Sequence, residues 1–102
     1  MSEDVSVEEF KSEVEVLGGF ESVKFSPHMR FRAGQRRLNW NNLKDKLRSG
    51  EIEDVEINHN PNQSIPYSEA YVIFLSLGKQ KLIVPFYILK DRSMKAVTVM
   101  RE

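Results

Sequence analysis

Three side chains in this sequence have types and a spacing that could do chemistry: His28, Arg32 and Arg36. On a helix they stand at i, i+4 and i+8 and share one face, with neighbouring Cβ atoms about 5–6 Å apart. Guanidinium forks pair bidentately with phosphate oxygens, and an imidazole moves a proton near neutral pH. A histidine flanked by two arginines therefore suits phosphate chemistry. The same spacing also describes a solvated basic helix face whose histidine caps a helix or pairs with a carboxylate. Met29 and Phe31, with Ala33 between them and the next turn, give this stretch some apolar anchor.

The neutral formal charge of the 102-residue chain hides an alternation that bears on this stretch. Residues 1–22 carry a net −6, residues 24–48 a net +7, residues 51–56 a net −4 and residues 59–102 a net +3. The field of such a block acts over about 8 Å at physiological salt, so the +7 segment can attract a polyanion although the total is zero. Alternatively, the blocks neutralise one another within the fold. The chain has no cysteine, which excludes disulfide scaffolds, thiolate metal sites and thiol nucleophiles. Its two histidines, His28 and His59, lack a ligand spacing such as His-x3-His, so no metal site is expected. Gly18-Gly19 lacks the lysine of a phosphate loop, and no cofactor is expected. Ser26 reads as a helix cap rather than a nucleophile. No apolar run approaches the ~20 residues that span a bilayer, and the acidic first four residues are unlike a signal peptide. The expectation is one cytoplasmic domain over residues 1–102 that meets no membrane.

The elements that must position these groups can be read from periodicity. Val7, Phe10, Val14 and Leu17 line one helical face, Ser6 and Glu9 form a capping box, and Gly18-Gly19 supplies a stop. This acidic amphipathic helix occupies residues 1–20, and the double glycine lets the chain reverse and bring it beside the basic segment. Residues 21–26 alternate as a short strand with Val23 and Phe25 on one side. Ser26-Pro27 opens a second helix to residue 36 or 37, weakened by Gly34. Asn39 caps a third helix through Trp40, Leu43 and Leu47, ended by Ser49-Gly50. Val55 and Ile57, residues 70–77, residues 81–89 and residues 94–100 read as strands, the two long ones joined at Gly78-Lys79. Pro85 puts its strand at an edge or in a bulge. Residues 58–67, with two prolines and three asparagines, form an exposed loop. The class is α+β, two to three N-terminal helices with a short strand packed on an antiparallel sheet of about four strands. Trp40, Tyr67, Tyr71 and Tyr87 could stack bases, although Trp40 lies on the apolar side with Leu43 and Leu47.

A short strand, His-x3-Arg-x3-Arg, a turn and a helix ending in glycine, then acid-flanked strands, resembles a bacterial and archaeal domain-of-unknown-function family. That family is grouped with the barnase, EndoU, colicin and RelE-like ribonucleases, near the BrnT-type toxins. His28, Arg32 and Arg36 match the motif, Leu38-Asn39 its hydrophobic-then-cap pair, Gly50 the closing glycine, and Thr98-Val99 the short terminal strand. The likeness covers residues 22–100. It departs at Arg37, where glycine usually stands. The resemblance implies a RelE/barnase-like domain that binds RNA, with metal-independent endoribonuclease activity of toxin–antitoxin type as the finer expectation. His28 would then transfer the proton and Arg32 and Arg36 would hold the phosphate, while Lys24, Arg30, Arg37, Lys44, Arg48 and Arg101 contact the nucleic acid. A protein antitoxin is the implied partner. The alternative is a non-catalytic protein-interaction or homodimerisation module of the same fold, favoured by the acidic helix and the continuous apolar strands. The setting of His28 separates the two: a buried ring bonded to a core carboxylate disfavours the RNA reading, and a ring that opens into a groove with Arg32 and Arg36 favours it.

Overall fold

Ser6, Ser26 and Asn39 each stop one stretch of extended chain and start a helix, because each side-chain oxygen accepts an N–H that the first helical turn leaves orphaned. In the computed structural model, which describes residues 5–102, these caps begin α1 (Val7–Val16), α2 (Pro27–Gln35) and α3 (Trp40–Arg48). The backbone N–H groups of Glu9, Met29 and Asn42 donate to them at 3.1, 3.0 and 3.0 Å. Residues 1–4, whose acidity was set against a signal peptide above, lie outside the described residues. The helices bury Phe10 and Val14, Met29 and Ala33, and Leu43 and Leu47 against one core. No helix among the described residues is long and apolar enough to cross a membrane.

The fold is α+β, and its sheet is larger than the sequence suggests. Six strands form it: β1 (Lys24–Phe25), β2 (Asp54–Ile57), β3 (Tyr67–Leu77), β4 (Gln80–Leu89), β5 (Met94–Ala96) and β6 (Met100–Arg101). The order is β1-β5-β4-β3-β2, with β6 also on β4. Nor is the sheet purely antiparallel, because β1 pairs with β5 in parallel, Lys24 opposite Lys95 and Phe25 opposite Ala96. The expected strand over residues 21–26 shortens to β1, since Phe20–Ser22 forms a 3-10 turn that tucks the Phe20 ring edge-on to Phe10.

The single strand expected over residues 94–100 divides into β5 and β6, and Pro85 supplies the reason. Pro85 sits opposite Val72 on β3, and at that position β4 is locally an edge, as the proline requires, although β5 and β6 flank it on either side of this point. Its other side has no N–H to give. The β5 ladder covers Phe86 to Ile88 and the β6 ladder covers Leu82 and Ile83, leaving Pro85 between them. There the Pro85 carbonyl accepts one bond at 3.3 Å, from Val97 N–H. The freed segment is held from outside the sheet: Ser26 Oγ donates to the Val97 carbonyl at 2.6 Å and Arg36 Nε to the Val99 carbonyl at 3.0 Å.

Register places Tyr71, Ile73 and Leu75 of β3 beside Phe86, Val84 and Leu82 of β4 on the helix-covered face. The opposite face carries Val72, Phe74, Ile83, Pro85 and Tyr87. The strands read as unbroken apolar runs because both of their faces are apolar, and only one of them meets helices.

Candidate nucleic-acid interface

The open face of the sheet is floored by Val72, Ile83, Pro85, Tyr87 and Val97, and its edges rise into a groove of about 660 Å³. One wall is the β2–β3 loop, contributing Asn58, Asn60 and Asn62. This loop is built by its own asparagines. Asn58 Oδ1 accepts from Asn60 N–H and Asn62 Oδ1 from Ser64 N–H, each at 2.9 Å, which is Asx-turn geometry. Asn62 N–H donates to the Tyr87 hydroxyl at 3.0 Å, pinning the loop to the groove floor. The other wall holds His28 from the first turn of α2, Lys95 of β5 and Thr98 of the displaced segment. Among the described residues no Asp or Glu lines the groove.

His28 is exposed and lines this open groove, so it is not a core histidine, but only half of the expected setting is met. The structure does not bring Arg32 and Arg36 into that groove with it. Arg32 Nη1 donates to Gln35 Oε1 at 3.1 Å, and its Nε is buried without a hydrogen-bond partner. Arg36, half-buried, spends its Nε on the Val99 carbonyl and lines a separate hollow with Gln35, Arg37 and Arg101. Arg101 donates from Nη2 to the Arg36 carbonyl. A shared helix face thus fans out as the helix crosses from the groove to the far end of β6.

The remaining basic residues fall into other settings. Lys24 is exposed on β1. Arg30 and Lys44 line a second groove with Phe25, Phe31 and Trp40, and the Arg48 guanidinium lies 5.1 Å from the centre of the Phe25 ring. Trp40 is half-buried, its ring edge-on to Phe25 at 5.4 Å, so it belongs partly to the core and partly to that groove. Two features of the main groove escaped the sequence reading: Lys95 and the asparagine wall. Lys95 was legible in part, because it alternates with the buried Met94 and Ala96 and so must face the opposite side.

The acidic helix does not dock at the start of α2, where His28 stands. It packs against β2, at the edge of the sheet remote from β1 and the start of α2. There its Glu13 meets another acid. The Tyr71 hydroxyl lies 2.7 Å from Glu69 Oε2 and 3.2 Å from Glu13 Oε1. A hydrogen bond with Glu69, then burial, pushes Glu13 up to about 7, while the same bond holds Glu69 below the usual carboxylate range. Burial, then the bond to Glu69, raises the Tyr71 hydroxyl above its ordinary value. Among the described residues no three His, Cys, Asp or Glu side chains gather as a metal ion would require.

Comparison with protein-family models, with curated proteins and with solved structures returns no match for this chain.

Proposed function

We propose that this domain binds single-stranded RNA in the open-face groove and cleaves it there by transesterification to the neighbouring 2′-hydroxyl. The observation that carries the reading is the company of His28: a proton-transfer group, a lysine and three side-chain amides around an apolar floor. Each part has a task in recognising RNA. The half-buried floor of Val72, Ile83 and Val97 accepts the flat face of a base, the asparagine amides offer donors and acceptors to its edge, and Lys95 meets the phosphate. Tyr87, expected to stack bases, is 2% exposed and instead holds the loop through Asn62.

In the reaction His28 takes the 2′-hydroxyl proton, and the 2′-oxygen attacks the adjacent phosphorus in line with the leaving 5′-oxygen. The bond from phosphorus to the 5′-oxygen breaks, that oxygen takes a proton from solvent water, and the proton on His28 returns to solvent. The products are a 2′,3′-cyclic phosphate and a free 5′-hydroxyl. Lys95 stabilises the added charge on the phosphoryl oxygens during attack. Arg36 is a positioning residue in this scheme, because its bond to Val99 holds the segment that brings Val97 and Thr98 to the groove. Arg37 and Arg101, beside it, give a strand leaving the groove a further cationic contact.

The test is an end-labelled single-stranded RNA incubated with the protein in EDTA. Cyclic-phosphate products are expected, slowed about a hundredfold or more in His28→Ala, with RNA affinity nearly unchanged. Lys95→Ala weakens binding and cleavage together. Absence of RNA binding at low salt, or full cleavage by His28→Ala, refutes the reading.

A further inference from the structure

We infer that the groove between α2 and α3 is a second nucleotide subsite, holding a base and phosphate of the same RNA strand that occupies the sheet groove. The inference rests on the RNA reading above and extends it from one groove to a path. Its first support is Phe31, a large apolar side chain left 62% exposed although α2 has Met29 and Ala33 to anchor it to the core. Water is a poor solvent for an aromatic ring, so a ring this open at a groove wall is available to a ligand.

Its second support is what surrounds Phe31. The groove, about 550 Å³, is lined by Phe25, Pro27, Arg30, Phe31, Trp40 and Lys44, together with Ser26. Its charged side chains are both cations, and Arg48 adds a third behind the Phe25 ring. Aromatic faces interleaved with Lys and Arg form the stacking platform and phosphate contacts that single-stranded nucleic acid uses. An acidic peptide would satisfy the cations but would leave the planar ring surface without a matching partner.

The third support is continuity. Ser26 lines both grooves, so they meet across the first turn of α2, with His28 on one flank and Arg30 and Phe31 on the other. A strand leaving the sheet groove over this turn arrives at Phe31 and Trp40 without crossing a carboxylate among the lining residues.

Trp40 is the only tryptophan of the chain, so its fluorescence reports on this groove alone. The experiment uses fluorescein-labelled uridine RNAs of two and six nucleotides with 2′-O-methyl sugars, which bind without being cleaved. The six-nucleotide RNA should quench Trp40 and bind about tenfold more tightly than the dinucleotide, the scale of one stacked base. Phe31→Ala should remove that advantage while the dinucleotide binds as before, and Phe31→Tyr should restore it. Six-nucleotide binding with no quenching and no effect of Phe31→Ala overturns the second subsite and leaves the sheet-groove reading standing. Binding of neither RNA overturns both.

Discussion

Replacing Arg37 with glycine should stabilise this protein. All three helices end in the same hydrogen-bond pattern, in which the residue after the C-cap turns left-handed and the next N–H reaches back to close the last turn. In α1, Gly18 N–H bonds the Glu15 carbonyl and Gly19 N–H the Val14 carbonyl, at 3.1 and 2.9 Å. In α3, Gly50 and Glu51 bond Leu47 and Lys46, both at 3.1 Å. In α2, Arg37 and Leu38 bond Gly34 and Ala33, at 3.0 and 2.9 Å. The turning residues have φ of 113°, 71° and 56°, and only the last, Arg37, carries a Cβ. That Cβ costs about 1–2 kcal/mol in the left-handed region. Glycine gives back about 0.4–1 kcal/mol through the greater freedom of its unfolded chain. The net gain is about 0.5–1 kcal/mol, or roughly 3–6 °C in Tm for a domain of this size. Thermal unfolding followed by circular dichroism measures it, and urea titration should show a higher midpoint with an unchanged slope. Arg37→Ala is the control: it trims the exposed side chain, keeps the Cβ and should not raise Tm. A fall or no change in Arg37→Gly, or an equal rise in Arg37→Ala, would show that the backbone strain is not what destabilises this turn.

Three further outcomes follow from the same geometry. Glu13 keeps its proton up to about pH 7 when folded but loses it near 4.5 when unfolded, so stability falls as pH rises through that window and is flat above it. The depressed Glu69 acts oppositely, and only below the ordinary carboxylate range. The full difference for Glu13 corresponds to about 3 kcal/mol, which solvent screening of so open a pair reduces to about 1 kcal/mol. Glu13→Gln should flatten the profile of urea midpoint against pH, and an undiminished slope in that variant would refute the assignment. Ser26→Ala should cost about 2 kcal/mol by urea unfolding, because it removes both the α2 cap and the bond to Val97; a loss under half that size would mean the Val97 segment holds without it. If the grooves and the arginine hollow together contact three to five phosphates, log affinity for single-stranded RNA should fall against log salt with a slope of roughly −2 to −3.5. Titration at several salt concentrations reads it, and a slope near zero excludes phosphate recognition.

The elements of this protein are local statements, and the amino-acid order determines them. Ser6, Ser26 and Asn39 cap helices by bonds that close within three residues, so each boundary is decided by a tetrapeptide. Gly78 turns the β3–β4 hairpin at φ 63° with a two-residue loop, as Gly78-Lys79 between apolar runs implies. The place of His28 in the first turn of a helix was equally legible, because Ser26-Pro27 sets it. What the order of residues could not decide is whether His28 is buried and what it faces. Its i+4 spacing with Arg32 and Arg36 promises a common face, but a helix face has length. The tertiary structure anchors Arg36 to Val99, sixty-three positions away, while His28 opens onto Lys95 and the asparagine loop. The parallel pairing of β1 with β5 and the splitting of the last strand also join distant segments: Pro85 withholds one N–H, and Ser26 takes up the carbonyl of Val97 seventy-one positions on. Contacts closing over three or four residues are written in local spacing. Contacts closing over sixty or seventy depend on which apolar faces pack together, and that packing alone decides which side chains share the groove.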